Sequence, residues 1–445
     1  MNPSKTVVYN KKVITGWAMY DWANSAYNLV ITSTIFPAYY IAVTRNPSLG
    51  DKVSFFGWDV INTALLDYSL AAAYLIIALL SPMLSSMADF RGNKKAYMKL
   101  FCYLGSAACI GLYFFNGSNV ELGIIFSMIA AIGYCGSLVF YNSYLPEIAP
   151  AEIQDKVSAQ GFAYGYIGSV LLQLVCFAFI FMPFEDGTFA PRLSFLLVGV
   201  WWLLFSQITF KRLPNSKPIQ SKLVNPISNG VTQLKEVFNE FKHLPKIKWY
   251  LWAFFCYSTG VQTVMLAAAL FGSKEVMKEV NGEMVHMESE DLIPAIILIQ
   301  IVAIGGAMMM AALSKKIGNL NVLIITVLAW IGICVGAYFT FNNYEFYVLA
   351  FTVGIVMGGV QSMSRSTYSK LIPQNTENNT SYFSFYDVVE KLSIVVGMFS
   401  FGFIEHITGN MRNSILMLGL FFVLGLGLLL YTKLVHKRLG VNDLR

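Results

Sequence analysis

Asp21, Asn24 and Asn28 fall inside one long apolar stretch of the chain, and Asp387, Glu390 and Lys391 fall inside another. An ionisable side chain at membrane depth is costly and persists mainly where it faces a protein interior or a watery cavity. Asp21, Asn24 and Asn28 stand at i, i+3 and i+7, one face of a helix, and Ser25 and Thr32 extend it. Gln361, Ser364, Arg365 and Tyr368 form a comparable stripe. A guanidinium suits a carboxylate and a carboxylate suits an ammonium group, so Arg365 and Asp21 together read as a receptor for a zwitterion. Asp387 and Lys391 are i, i+4 and can pair along one helix face, with Glu390 a competing partner for Lys391 or Arg365. Neighbouring charge and hydration set a carboxylate's affinity for a proton, so a group whose hydration alternates can load and release one. Tyr141, Asn142, Gln173, Gln262 and Gln300 complete the polar set. For the Asn, Gln and Ser residues, adhesion between helices competes on equal terms with solute contact. For Asp21 and Arg365 the cost of burial favours function. Asp67 lies one turn inside its segment, can snorkel, and carries little weight.

The elements that must position these groups are membrane helices. Of the 445 residues 56% are hydrophobic and 13% charged, about half the charged share of a soluble globular protein. Stretches of spanning length run near 16–44, 62–87, 97–115, 120–145, 157–182, 192–210, 247–272, 292–313, 321–341, 344–371, 381–404 and 413–435. The first is too long and too polar for a cleavable signal and is expected to remain as a span. The net charge of +6 sits in short segments between apolar stretches, which argues against nucleic acid. Cys102, Cys109, Cys135, Cys176, Cys256 and Cys334 all fall in apolar stretches and read as reduced packing residues. No HExxH, GxSxG or P-loop occurs, and His243, His286, His406 and His436 lie at or beyond span ends and read as loop residues. No enzyme chemistry, cofactor or metal is expected.

Lys5, Lys11, Lys12, Arg91, Lys94, Lys95, Lys211, Arg212, Lys315, Lys316, Lys433, Lys437 and Arg438 fall on one side if the spans alternate, while the loop at 273–291 is acidic. The positive-inside rule then places both termini in the cytoplasm. Gly92-Asn93 follows the second span and Gly318-Asn319 the eighth; Leu145-Pro146 closes the fourth and Ile372-Pro373 the tenth. These matched offsets indicate duplication, with each copy entering the membrane in the same direction, a transporter architecture. The expectation is an all-α integral membrane protein of twelve transmembrane helices in two six-helix bundles related by a parallel repeat: residues 1–210, a polar linker 211–246, and residues 247–445. Val231, Leu234, Phe238 and Phe241 give the linker an apolar helical face beside Lys235 and Lys242, either an amphipathic surface helix or a disordered link. The third, sixth, ninth and twelfth spans are almost purely apolar and are expected to form an outer ring. Gly161, Gly165, Gly168 and Gly354, Gly358, Gly359 mark close helix packing.

The segment from Ser85 through Asp89, Gly92, Lys94 and Lys95 resembles the signature between spans two and three of the major facilitator superfamily. Ser85 replaces its usual first Gly, and Phe90 a common Arg. In that family the cluster latches the cytoplasmic side when the cavity opens outward. Here Asp89 can meet a cation or a helix N-terminus, Gly92 permits the turn, and Lys315 in the second copy implies an asymmetric latch. The strings GWAMYDWANSAYNLVITSTIFPAYY (16–40), YLPEIAP (144–150), VSAQGFAYGYIGS (157–169), GGVQSMSRSTYSKLIP (358–373) and SFYDVVEKLS (384–393) resemble the branch of autophagy-related vacuolar amino-acid effluxers and their bacterial relatives. The likeness covers the whole chain and implies the twelve-helix facilitator fold and, by analogy, amino-acid efflux. Ser258-Thr259 depart from the Asn-Asp common in that branch. A coupling proton carried there in relatives is absent here or has moved to Asp21 or Asp387.

The expectation is therefore a monomeric secondary transporter of the cell membrane, working by alternating access on a small polar or zwitterionic solute such as an amino acid, in the direction of efflux, with the proton as the candidate coupling ion. Asp21, Asn24, Asn28, Tyr141, Gln173, Gln262, Gln300, Gln361 and Arg365 would line the solute cavity. Asp21, Asp387, Glu390 and Lys391 would pair and couple. Asp89, Gly92, Lys94 and Lys95 would gate. The rivals are efflux of larger amphipathic compounds, which the abundant aromatics allow, and a non-transporting membrane sensor or scaffold.

Overall fold

The computed structural model describes residues 10–45, 50–215, 226–373 and 376–439. Thirteen long helices follow one another: α1 (Lys11–Thr44), α2 (Asn62–Arg91), α3 (Lys94–Gly111), α4 (Val120–Asn142), α5 (Gln154–Ile180), α6 (Phe189–Arg212), α7 (Pro226–His243), α8 (Pro245–Glu275), α9 (Ser289–Ile317), α10 (Asn319–Tyr338), α11 (Asn343–Leu371), α12 (Asn379–Thr408) and α13 (Met411–Arg438). Eleven are long and apolar enough to cross a membrane. The other two are the linker helix α7 and the 30-residue α12, which carries Asp387, Glu390 and Lys391. With α12 counted the spans are twelve. Two loops each hold an antiparallel hairpin, β1 (Lys52–Phe55) with β2 (Trp58–Ile61), and β3 (Met277–Val280) with β4 (Glu283–His286).

Helix ends follow local chemistry. The Asn10 side chain accepts from the backbone of Lys12 and Val13 and so caps α1. Gly92 closes α2 in the left-handed conformation at φ 62°, a position that favours glycine. Asn342 and Glu345 form a reciprocal capping box at α11. Within α1, Asn28–Thr34 is π-helical; the Ser33 and Thr34 hydroxyls donate to the carbonyls of Asn28 and Leu29 five residues back. Such widened turns gather at functional sites. They also break the 3.6-residue spacing, and Thr32 lies off the polar face that Asp21 and Asn28 share.

Two large apolar cores form, one from α1–α6 and one from α7–α13 joined by Tyr166 of α5, with a small third cluster of Ala159, Ala307 and Ala311 where α5 meets α9. The principal packing of α3, α6, α10 and α13 stays within their own half, whereas α5 packs on α9 and α11, and α2 on α12. The apolar spans thus brace the others from outside. Close approach depends on glycine: a Cβ on Gly358 would strike the Ala303 carbonyl, and one on Gly306 the Ile355 carbonyl. The described part of the linker beyond residue 225 is helical, as α7; residues 216–225 lie outside the described ones. α7 lies against α2 and α8, with Val237 and Phe241 buried while Phe238, placed on the expected apolar face, is 55% exposed; the side chains of Val231 and Leu234 lie outside the described ones. The cysteines are all free. His436 is not a loop residue: it is buried in α13 with Nδ1 2.8 Å from the Thr432 carbonyl.

Gly358→Val should overpack the α9–α11 contact and cost about 1–3 kcal/mol, read as a lowered melting temperature in detergent.

Candidate functional site

The polar faces of α1, α5, α8, α11 and α12 meet in one cavity of about 160 Å3 between the halves. Its wall includes Asp21, Asn28, Gln262, Gln300, Gln361, Arg365, Glu390 and Lys391, together with Ser25, Tyr74, Cys135, Asn142 and Ser258. Asn24, Tyr141 and Gln173 are off the wall, unlike their expected places. Asn24 is buried on the flank of α1, and Ser25 takes its place at the surface. Gln173 accepts from Thr34 at 3.2 Å, within its own half. Tyr141 acts through Asp21 instead of facing the cavity. Tyr368 is likewise withdrawn and donates to the Tyr382 carbonyl at 2.6 Å. Asp67 is exposed on α2 and does not line the cavity.

Asp21 and Arg365, read from sequence as separate receptors for the two ends of a zwitterion, bind each other. Asp21 Oδ2 is 3.3 Å from Arg365 Nη1, and the two side chains are 8% and 4% exposed. The same oxygen accepts from Nη2 of Arg365 at 3.3 Å and from the Tyr141 hydroxyl at 2.7 Å. Arg365 also donates to Asn142 Oδ1, to Ser158 Oγ and to the Ser158 carbonyl, and its guanidinium lies near the rings of Phe162 (4.3 Å) and Trp17 (4.7 Å). A planar, permanently charged fork can satisfy all of these at once where a lysine could not. The pair needs Gly161: a Cβ there would lie 2.6 Å from Asp21 Oδ2 and 2.9 Å from Arg365 Nη2. The glycine stripe of α5 therefore makes room for a charge pair as well as for a helix.

The second pair lies on α12. Lys391 Nζ is 2.9 Å from Glu390 Oε2 and 3.4 Å from Asp387 Oδ1. Glu390 Oε1 accepts from Gln262 at 3.1 Å. Asp387 is 2% exposed and absent from the cavity wall. Aromatic rings fill much of the remaining wall: Tyr134, Phe162, Tyr166, Phe254, Tyr257 and Tyr386. Nothing in their spacing along the chain distinguishes these rings from aromatics that face lipid.

Two polar ties join the halves at the end where the chain termini lie. Asp89, near the end of α2, accepts at Oδ1 from the Thr380 backbone (3.2 Å), and at Oδ2 from the Ser381 backbone (2.8 Å) and hydroxyl (2.9 Å). A carboxylate of one half thus caps the first turn of α12 in the other, whose own Asn378 makes no side-chain cap. Lys94 is 2.6 Å from Glu147, which accepts from Asn379. Lys95 instead donates to the Leu213 carbonyl inside its own half. The second tie is the asymmetric counterpart expected from Lys315, yet Lys315 is exposed and takes no part. Asp155, at the start of α5, binds Lys370 at 2.8 Å and accepts from Asn319 and Ser314. Both carboxylates come from the first half. Asp155 gave no signal in sequence, since it stands at a helix start; the repeated Gly318-Asn319 was the one pointer to its partner.

A family model described as "Vacuole effluxer Atg22 like" matches residues 9–440. The uncharacterized MFS-type transporter YxiO of Bacillus subtilis is 28% identical over 420 residues, covering 93% of each chain. Autophagy-related protein 22 of Yarrowia lipolytica is 24% identical, covering 87% of this chain and 78% of its own. In architecture the chain is similar to a crystal structure of the transporter FucP in the outward conformation, with a TM-score of 0.68 at 14% identity over 95% of this chain and 98% of that one. The proton:xylose symporter XylE also gives a TM-score of 0.68, at 13% identity over 93% of this chain and 94% of the other.

Removing one partner of a buried pair leaves the other charge uncompensated, at about 3–5 kcal/mol. Asp21→Asn should show a loss of that order in thermal or denaturant stability, and Asp21→Asn/Arg365→Gln should recover most of it.

Proposed function

Because the chain belongs to the Atg22-like vacuole effluxer family of major facilitator transporters, we propose that it exports a small zwitterionic solute, an amino acid, by alternating access across the cell membrane, with a proton as the coupling ion. The observation that carries this reading is the cavity wall itself. It is shared by both halves and presents a carboxylate and a cation twice over, Asp21 with Arg365 and Glu390 with Lys391. A zwitterion can exchange into such pairs without leaving an unpaired charge: its carboxylate meets Arg365 or Lys391, and its ammonium meets Asp21 or Glu390. Gln300 offers a further acceptor, since its Oε1 lacks a partner in the described residues.

Both termini are assigned to the cytoplasm, on the excess of lysine and arginine at that end. The Asp89 and Asp155 ties then close the cytoplasmic side, and the opposite side is the way to the cavity. Among the described residues, the polar contacts between halves lie at the closed end and at the level of the cavity, where Tyr166 donates to Gln361 at 2.8 Å. Opening inward requires α12 to lose its borrowed cap and Lys370 to leave Asp155.

A second reading, export of larger amphipathic compounds, draws on the aromatic wall. The volume of about 160 Å3 weighs against it, because pockets for drug-sized ligands run to roughly 300–1,000 Å3.

Purified protein in liposomes should move radiolabelled amino acids, and Arg365→Lys should reduce that flux at least tenfold; absence of flux for every amino acid would reject the solute class. For the gate, a cysteine replacing buried Ser384 in a background without native cysteines should be protected from impermeant maleimide. It should become reactive from the terminus side when Asp89→Asn and Asp155→Asn are combined.

A further inference from the structure

Three carboxylates and two cations occupy the polar centre: Asp21, Asp387 and Glu390 against Arg365 and Lys391. Two of the carboxylates are well matched. Asp21 Oδ2 accepts three donors, two from Arg365 and one from Tyr141. Glu390 holds Lys391 on one oxygen and Gln262 on the other. Asp387 is the carboxylate left over. It is 2% exposed, its Oδ1 has only the longer 3.4 Å contact with Lys391, and its Oδ2 has no hydrogen-bond partner in the described residues. An unmatched charge at this depth is costly, and a proton on Oδ2 removes it.

We propose that Asp387, and not Asp21, carries the coupling proton, and that Lys391 converts its release into solute binding, making the protein a proton antiporter. This rests on the zwitterion reading above. With the proton on Asp387, Lys391 pairs with Glu390, which is the shorter contact observed. When the proton leaves Asp387 for water, the carboxylate draws the ammonium of Lys391 one turn along α12. Glu390, which lines the cavity as Asp387 does not, is then free to accept the ammonium of the solute. Proton and solute therefore exclude each other: each solute bound releases one proton, and no other reactant is required.

The surroundings of Asp387 allow this. Besides Lys391 and Glu390 on its own helix, the titratable groups nearby are Tyr386 beside it, Tyr74 of α2 with its ring 5.9 Å from Lys391 Nζ, and Tyr134 and Cys135 of α4, Tyr257 of α8 and Arg365 of α11, which line the same cavity as Lys391. Within this set no further carboxylate competes for the proton. Asp387 stands six residues from Ser381, about 9 Å along the helix, between the cavity and the Asp89 tie. Release of that tie brings water to Asp387 from the terminus side, so one movement exposes the proton site and the solute site together.

The test uses proteoliposomes with the membrane potential clamped and a mixture of radiolabelled amino acids as probe. Exchange at equal pH inside and out reports the solute reading alone; its absence in the wild type overturns that reading and this assignment with it. With the interior made acid, the wild type should accumulate label about tenfold per pH unit for one proton exchanged. Asp387→Asn, fixed in the neutral form, keeps Lys391 on Glu390 and should lose exchange at equal pH together with the gradient response, while Asp387→Glu should restore both. Accumulation driven by an acid exterior, no response to either gradient in a wild type that exchanges, Asp387→Asn exchanging like the wild type at equal pH, or gradient-driven accumulation in Asp387→Asn would overturn the proposal.

Discussion

A buried guanidinium in a membrane-spanning helix must be matched, and in this protein the match comes from the other half of the molecule. Arg365 of α11 reaches Asp21 of α1, and much of the local architecture serves that contact. Tyr141 holds the carboxylate from behind. Ser158 and Asn142 satisfy the remaining donors. Gly161 leaves the volume the pair occupies. The cost of leaving either charge unpaired at this depth keeps the halves together at the level of the cavity. For the same reason the bond can yield only to something that brings equivalent charges of its own.

The ties at the terminus end work on a different principle. Asp89 borrows the N-terminal amides of α12, and Asp155 gathers Lys370, Asn319 and Ser314. These groups lie at the ends of helices but are buried, with the Asp155 and Lys370 side chains each 2% exposed, so they part only when the movement of the halves itself brings water to them. A charge pair in the middle and separate ties at one end suit a molecule whose halves rock about a fixed centre, as expected of parallel-repeat transporters.

Much of this was legible in the chain. Length and apolarity placed the twelve helices within a few residues, because a helix that must cross lipid leaves little freedom in composition. Even the charged α12 was found, since its ionisable groups cluster in one half of an otherwise apolar stretch. The charged members of the site were legible too, for burial makes Asp21, Arg365 and Lys391 conspicuous. What could not be read was partnership. Spacing places Asp21, Asn24 and Asn28 on one face of α1 but does not say which edge of that face meets the cavity, and Ser25 took the place given to Asn24. Nothing in the spacing distinguishes an Arg365 that waits for a ligand from one already bound to Asp21. Asp155 looked like an ordinary helix start, and the aromatic wall looked like lipid-facing surface, because both depend on how separate helices are set against one another.

A structure of the protein with an amino acid bound would show whether the two resident charge pairs receive the solute. The ligand's carboxylate should lie on Arg365 or Lys391 and its ammonium on Glu390 or Asp21, with at least one of the two resident pairs opened to admit it. A bound amino acid lying away from the cavity, with Asp21–Arg365 and Glu390–Lys391 both intact, would contradict this reading.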